Sequence, residues 1–509
     1  MRTRTPFLQD GHDMNDRVRS ALPETTPGGP SDVQRRFVLT TAAWAVPAVA
    51  MTVATPAFAD SNNRVASLSS LDDQLPAAGG APVSAIVVDS DGSPVAGQAV
   101  TFAGPASATF SPPTATSDSA GVATTTVNLN DTWAAPGSTA TITAMAGSSN
   151  ISKGFIVLGA NVLVAGQGYS STLSQAELAF PSPVTQISGS SWNNVSFFVA
   201  LLADGTVWTK GSNSSGQLGD GTTTDRATWA KVNGLSTVTQ IALGRESVMA
   251  LRSNGTVMRW GFEPYDTVSS PKQQPGLANV TQIARGRRTG YALLSDGSVK
   301  AWGANDFHAA GTGGTAWPGL TPKQVVGLSS GVAQIAAGTV SGYARMTDGT
   351  GRAWGFNDYG QLGDGTTTER ATSSPVQSLT GIATQITAES GNMIVLRSDG
   401  SVLSCGFNDH DGELGNGASS PTQNPNLAPV SGLGSGVSAV AATIGSGYAL
   451  MADGSVNAWG FNGAGQLGDG TTTSRLAPAP INIPDGRIVT RLGESCPLSY
   501  TTFLITSTS

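Results

Sequence analysis

GQLGDGTTTDR (216–226), GQLGDGTTTER (360–370) and GQLGDGTTTSR (465–475) are one stretch written three times, with GELGNG (412–417) a worn fourth copy. Repetition at a spacing of about fifty residues predicts stacked supersecondary units, each unable to bury its apolar face alone. The turns upstream keep the same period. Asp204, Asn254, Asp296, Asp348, Asp399 and Asp453 each precede a glycine, and a short strand then ends at Gly211, Gly261, Gly303, Gly355, Gly406 or Gly460, usually as Trp-Gly. A seventh such strand, NVLVAGQG, ends at Gly166.

A further signature recurs seven times: VTQIS (184–188), VTQIALG (238–244), VTQIARG (280–286), VAQIAAG (332–338), ATQITAE (383–389), VSAVAAT (437–443) and IVTRLGE (488–494). The last copy has no Trp-Gly strand after it, and the first Trp-Gly-like strand has no copy before it. The count closes if SYTTFLITS at the C-terminus completes the sheet begun at 161–166, which removes the open edges of the ring. Within each unit the order reads A (VTQIA), B (YALLS), C (SVKAWG) and D (around PVQSL, 375–379), with B and C joined by the two-residue Asp-Gly hairpin.

These three motifs at one period resemble the regulator-of-chromosome-condensation repeat over about 350 residues. The resemblance implies an all-β, seven-bladed β-propeller with roughly fifty residues per blade, here spanning 159–509. Antiparallel order sends the A–B connections and the long C–D loops to one face, the expected binding surface. On it the A–B segments diverge from repeat to repeat: Trp192-Asn193-Asn194, Arg245-Glu246, Arg287-Arg288, Thr339-Val340, Ser390 to Asn392, and Ile444-Gly445. Trp192, Asn193, Arg245, Glu246, Arg287, Arg288 and Asn392 are the candidate partner-binding residues, Trp and Arg being the types enriched at binding hot spots. Trp260, Trp302, Trp354 and Trp459 recur at the blade period, so they are expected to pack between neighbouring blades.

The front of the chain reads differently. Residues 1–59 have the three parts of a bacterial signal peptide: Arg35-Arg36, a short apolar run, and Ala57-Phe58-Ala59 before Asp60. RRFVL resembles the twin-arginine pattern; Gln34 and Thr40 depart from it, leaving the export route open, as Met14 leaves the start open. Residues 60–158 alternate short apolar strands with turns, the pattern of a β-sandwich. V-x-D-x-x-G-x-P-V-x-G-x-x-V-x-F, beginning at Val87, and the later S-D-x-x-G-x-A resemble the bacterial Ig-like repeats of the invasin and intimin families, which implies a spacer. Asp89-Ser90-Asp91-Gly92 lacks the downstream ligands of a calcium loop and reads as a turn.

Composition narrows the function. Among the 509 residues are 64 Gly and 28 Pro, with 12 % charged residues and a net charge of −7. Without a basic block, binding of nucleic acid through its phosphates is not expected. Cys405 and Cys496 fall in different repeats; two buried free thiols are preferred, with pairing left open. Of the histidines, His308 and His410 sit in separate C–D loops and form no metal or triad pattern, and GQLGDG lacks the Lys-Ser/Thr ending of a phosphate loop. No catalytic, cofactor or metal residues are assigned. Glu246, Glu389 and Glu494 share equivalent A–B positions. The expectation is therefore an exported, monomeric, non-enzymatic binding protein, secreted and free or wall-associated, with an extracellular or envelope protein (including an enzyme it inhibits) or a surface glycan as partner. A carbohydrate-active enzyme with a site at the channel mouth stays open. So does a nucleotide-exchange-factor-like role by fold analogy, which export disfavours.

Overall fold

The computed structural model describes residues 63–70, 74–76, 80–129, 138–158, 161–174, 180–192, 195–264, 266–379, 381–420, 422–484, 487–493 and 499–506. Residues 1–59, read above as a signal peptide, Asn193, Glu494 and Cys496 lie outside these residues, and Trp192 is described in its backbone alone. The chain divides into two compact units.

The first unit is built from two sheets. One orders Asn63–Ser69, Gly80–Asp89, Val122–Asn128 and Thr109–Ser111; the other orders Gln74–Pro76, Ser149–Leu158, Thr139–Ala146, Ala99–Ala103 and Thr114–Thr116. Alternation buries one side of each strand, and Val83, Val87, Val100, Ile142 and Phe155 make a common apolar core. The Asp89 carboxylate accepts the Asp91 and Ser93 amides at 2.9 Å each, and Gly92 takes φ +83°, so this segment is a turn closed by its own aspartate.

The second unit contains seven antiparallel sheets, six of four strands and one of three. Their first strands are Val184–Trp192, Val238–Leu243, Val280–Arg285, Val332–Ala337, Ala383–Ala388, Val437–Thr443 and Val489–Leu492. Each of these strands touches the next sheet in turn, and the first meets the seventh through Thr501–Thr506, so the sheets form a closed cycle. The seventh sheet orders Val162–Gly166, Thr501–Thr506 and Val489–Leu492; residues distant in sequence are joined there with Val162 opposite Ile505. The fourth strands begin earlier than the sequence suggested. In the fourth sheet this strand is Arg370–Pro375, because the backbone turns away at Val376, whose amide bonds to Gly351.

The V-T-Q-I signature has a separate job for each residue. A bulge falls between Val238 and Gln240, and again at the equivalent place in the other six sheets. Val and Ile enter the core. The Thr239, Thr281 and Thr384 hydroxyls bond to carbonyls of the second strand at 3.2–3.3 Å. The glutamine reaches sideways. Gln240 Nε2 donates to Ile283 O at 3.0 Å while Oε1 accepts the Ile283 amide at 2.8 Å. Gln282 pairs in the same way with Ile335, Gln334 with Ile386, and Gln385 with Val440. Gln186 accepts the Ile241 amide at 2.8 Å. Ala439 stands at this position in the sixth sheet and Arg491 in the seventh, where Nη1 bonds to Thr185 O at 3.1 Å. Gln240, Gln282, Gln334 and Gln385 line a cavity of about 120 Å³ within the cycle.

Tryptophans lock the sheets further out. Trp260 Nε1 donates to Gln217 O and Trp354 Nε1 to Ala309 O, both at 2.9 Å, and Trp459 Nε1 to Glu413 O at 3.2 Å. Each acceptor belongs to the preceding sheet's loop, as packing between neighbours requires. Gly219, Gly311 and Gly415 lie against these rings, where a Cβ would come within 2.8 Å of an indole atom. Across the strand pair, Gly290, Gly342 and Gly447 face Trp302, Trp354 and Trp459. In the fifth sheet the pair is Met393 and Cys405, and in the first it is Phe198 and Lys210. The buried Cys405 thiol is free and lies 3.7 Å from Gln361 O, the place an indole N–H takes elsewhere.

Candidate protein-binding face

Antiparallel order places the A–B connections and C–D loops on one face, and hydrogen bonds fix both. Ser190 Oγ donates to Arg245 O at 3.1 Å, the Arg245 amide to Arg287 O at 3.2 Å, and the Arg287 amide to Thr339 O at 2.8 Å. The Thr339 and Ser390 hydroxyls lie 2.9 Å apart. The segments that diverge in sequence thus form a stitched girdle across five sheets.

The repeated GQLGDGTTT loops are internally committed. Asn357 Nδ2 donates to Asp364 and to the Thr366 and Thr368 carbonyls, Asp364 accepts the Thr366 amide and hydroxyl, and Arg370 Nε meets Asp364 at 2.6 Å. Asp220–Arg226 and Asp469–Arg475 repeat the ion pair at 2.7 Å. This explains the motif through to its final arginine: it is loop scaffold.

The second sheet departs from the pattern. Six residues (262–267) join its third and fourth strands, where fourteen (212–225) do so in the first sheet. Without a GQLG loop before it, Trp302 Nε1 is buried with no acceptor among the described residues. A charged corner lies beside the shortened connection. Arg285 and Glu263, both fully buried, meet at 2.8 Å. Beside them lie Arg245, Glu246, Arg287, Arg288 and Asp306. Arg245 Nε is 3.5 Å from Glu246, which also accepts the Ser215 hydroxyl at 3.3 Å. Arg288 lies over the Phe262 ring with its guanidinium carbon 5.3 Å from the centroid. Burial and repulsion from Arg288 and Arg245 pull the Arg287 guanidinium down to about 10, against the attraction of Asp306 and Glu246. Burial raises the Asp306 carboxyl, against Arg288 and Arg287.

The candidate residues separate accordingly. Arg245, Glu246 and Arg288 are half-buried in one corner together with buried Arg287. Asn392 is not a tip: it is buried at the start of Asn392–Arg397, with Nδ2 donating to Phe407 O at 2.6 Å. The sequence reading passed over Glu263, Arg285 and Asp306, although the short loop after Gly261 marks their location. It also missed an aromatic arc. Phe307, Phe356, Tyr359 and Phe407 contact edge to face at 5.0–5.9 Å, and Phe461 contacts Tyr500 at 5.8 Å. The aromatic after Trp-Gly or Cys-Gly, at 262, 356, 407 and 461, is the signal that would have found it.

Two other acids are buried across the ring. Glu389 is pushed up to about 8, chiefly by burial and partly by Glu413, although the amides of Gly391, Ser390 and Gly445 oppose this. Burial also raises Glu413 to about 7; its carboxylate accepts the Asp409 amide at 2.8 Å. Both side chains are buried. His410 is exposed, and His308 Nδ1 lies 3.2 Å from Gly314 O. Among the described residues no cluster of His, Cys, Asp or Glu is arranged to hold a metal, and no helix is long and apolar enough to cross a membrane.

The model of the RCC1-like domain matches residues 161–495. The chain belongs to the RCC1-like domain family. Human E3 ubiquitin-protein ligase HERC2 is 29 % identical over 327 residues, covering 60 % of this chain and 7 % of HERC2. The Arabidopsis thaliana ultraviolet-B receptor UVR8 is 29 % identical over 169 residues, 33 % of this chain and 36 % of the receptor. The chain thus spans well under two thirds of either relative. Yeast RCC1 (Prp20), solved bound to Kap60, superposes with a TM-score of 0.57 at 20 % identity, covering 68 % of this chain and 89 % of that one. Human WBSCR16 gives 0.56 at 20 % identity, covering 68 % and 98 %. At that identity the likeness is one of fold: an RCC1-like propeller. RCC1-like propellers are binding and regulatory modules, and the girdled loop face suits that use.

Proposed function

We propose that this chain is an exported, non-enzymatic binding scaffold. Its seven sheets are the blades of a seven-bladed RCC1-like propeller, its two-sheet unit is an Ig-like spacer, and the loop face engages a protein partner. The carrying observation is the corner of the second and third sheets, where a shortened rim meets half-buried arginines and aromatics on a hydrogen-bonded girdle. Rigid, partly desolvated Arg and aromatic side chains are the residues that dominate binding energy at protein interfaces. Prp20, of the same fold, is solved with Kap60, and its binding to Gsp1p and histones is described; this supports protein binding by the fold, with the partner here different because of export. The segment 1–59 supports secretion, with cleavage before Asp60.

The test is affinity capture from culture supernatant and envelope fractions, using the mature chain. A defined protein partner lost on Trp192→Ala with Arg288→Ala, but kept on Arg397→Ala at the opposite face, supports the assignment. Equal capture by all three proteins refutes it. Recovery of the chain in the cell pellet with residues 1–59 intact overturns the export reading.

A further inference from the structure

We infer that Asn233 is a site of spontaneous deamidation, a covalent self-modification in which the Gly234 amide nitrogen attacks the Asn233 side-chain carbonyl carbon and displaces ammonia. It stands independently of the partner-binding assignment.

Asn-Gly pairs begin at 233, 254, 416 and 462. A following glycine has no Cβ to shield the attacking nitrogen. That nitrogen must shed its proton and reach Cγ, so the pair is guarded when the amide donates to a carbonyl or when the asparagine side chain is held elsewhere. The fold guards three of the four. Gly255 N donates to Arg252 O at 2.9 Å, and Asn254 Oδ1 accepts the Thr256 amide at 3.1 Å and its hydroxyl at 2.7 Å. Gly417 N donates to Leu476 O at 2.9 Å, and Asn416 Oδ1 accepts the Ala418 amide at 2.9 Å. Asn462 is buried, with Oδ1 accepting the Leu467 amide and Nδ2 donating to Asp469 and to the Thr471 and Thr473 carbonyls.

The first pair differs. Asn233 and Gly234 are both exposed in the turn after Arg226–Lys231, where Gly234 takes φ +70° and a Cβ would meet open space. Among the described residues nothing bonds to the Asn233 side chain or to the Gly234 amide. The turn is held by other groups: Val232 N donates to Val207 O at 2.8 Å, and Arg252 Nη2 to Gly234 O at 2.9 Å. Nor does the turn call for asparagine. Pro275, Val326 and Ser431 stand in the same place before Gly276, Gly327 and Gly432, which take φ +73°, +87° and +72°.

The reaction balances with water as its one co-reactant. The bond from Gly234 N to Cγ forms as the bond from Cγ to Nδ2 breaks, and the amide proton leaves with Nδ2 as ammonia. Water then opens the five-membered imide at either carbonyl, leaving an aspartyl or isoaspartyl residue and one added negative charge. The isoaspartyl product lengthens the main chain by a methylene between Val232 and Leu235, two buried members of one apolar cluster.

The experiment incubates the full chain at mildly alkaline pH, folded and in urea, and follows each asparagine by peptide mapping with mass spectrometry. In the folded chain Asn233 is expected to convert at least about fivefold faster than Asn254 or Asn416, the fold-change that one hydrogen bond on the attacking amide implies. Asn462 is expected to be slowest, and urea to bring the four rates together. Asn233→Ser is expected to remove the acidic isoform that the folded chain accumulates on isoelectric focusing. The inference is overturned if Asn254 or Asn416 converts as fast as Asn233 in the folded chain, or if Asn233 stays intact while the unfolded chain converts. It is equally overturned if the order of rates persists in urea, which would assign it to neighbouring residues in sequence, or if the acidic isoform survives Asn233→Ser.

Discussion

Replacing Gln282 with leucine removes one link between the third and fourth sheets while nearly preserving side-chain volume. The link has two hydrogen bonds, Nε2 to Ile335 O at 3.1 Å and the Ile335 amide to Oε1 at 2.8 Å. At about 1 kcal/mol net for each bond, their loss costs about 2 kcal/mol, and stranding the Ile335 peptide groups adds about 1–3 kcal/mol where water does not reach them. Leucine recovers part of this through apolar contact, so the expected destabilisation is about 2–4 kcal/mol. Equilibrium urea unfolding, followed by tryptophan fluorescence, reads it, since Trp260, Trp302, Trp354 and Trp459 sit between sheets. The slope of free energy against urea should stay constant while the midpoint falls. Gln282→Glu adds a directional check: its carboxylate still accepts the Ile335 amide but opposes the Ile335 carbonyl. It should be less stable than the parent at neutral pH and recover as acid protonates it. A change below about 0.5 kcal/mol in Gln282→Leu would show that the glutamines follow the ring without holding it.

The same geometry predicts a gain. Ala439→Gln supplies the link missing between the sixth and seventh sheets, with Leu492 in register to receive it, and is expected to stabilise by about 1–2 kcal/mol in the same assay. Trp354→Ala should cost about 3–5 kcal/mol, because it empties an inter-sheet site and removes one of the two hydrogen bonds to Ala309 O, the other coming from the Tyr291 hydroxyl; a loss below about 1 kcal/mol would contradict the packing role. Glu389 binds its proton more tightly folded, at about 8, than its ordinary 4.5. Its contribution is therefore complete below about pH 4.5 and lost as pH rises through 8, by an amount on the order of a few kcal/mol. Glu389→Gln should flatten that decline in urea midpoints between pH 5 and 8; an unchanged decline would place its origin elsewhere.

Much of the fold was legible because each structural job recurs at one period. The Asp-Gly hairpins, the strands ending at Gly211 through Gly460, and the pairing of 162–166 with the C-terminal strands all follow from repetition and the need to close an edge. The fourth strands were placed too late because Val376 looks like a strand residue, whereas the strand ends at Pro375 and the Val376 amide bonds to Gly351 O. The glutamine of V-T-Q-I was visible as a letter but not as a link, since its partner lies one repeat away. The face was harder to read. Divergent letters suggested exposed tips, yet Arg287 and Asn392 are buried, because the backbone girdle turns those side chains inward. The most regular loops looked like decoration and proved to be internal networks. The charged corner came from an omission, the short connection after Gly261, which a search for shared motifs passes by.

The cross-strand pairs carry a consequence for how such a ring can change. Glycine faces tryptophan in three sheets, while methionine faces cysteine in the fifth and phenylalanine faces lysine in the first. Met393 reaches Gly363 as the indoles reach Gly219, Gly311 and Gly415, so it occupies space that a tryptophan at 405 would claim. The heritable unit is therefore a couple with a fixed combined volume. Cys405→Trp on its own should collide with Met393, and Met393→Gly on its own should leave a void, yet together they restore the neighbouring sheets' solution. A ring that tolerates drift couple by couple can retain its frame while its copies lose their resemblance.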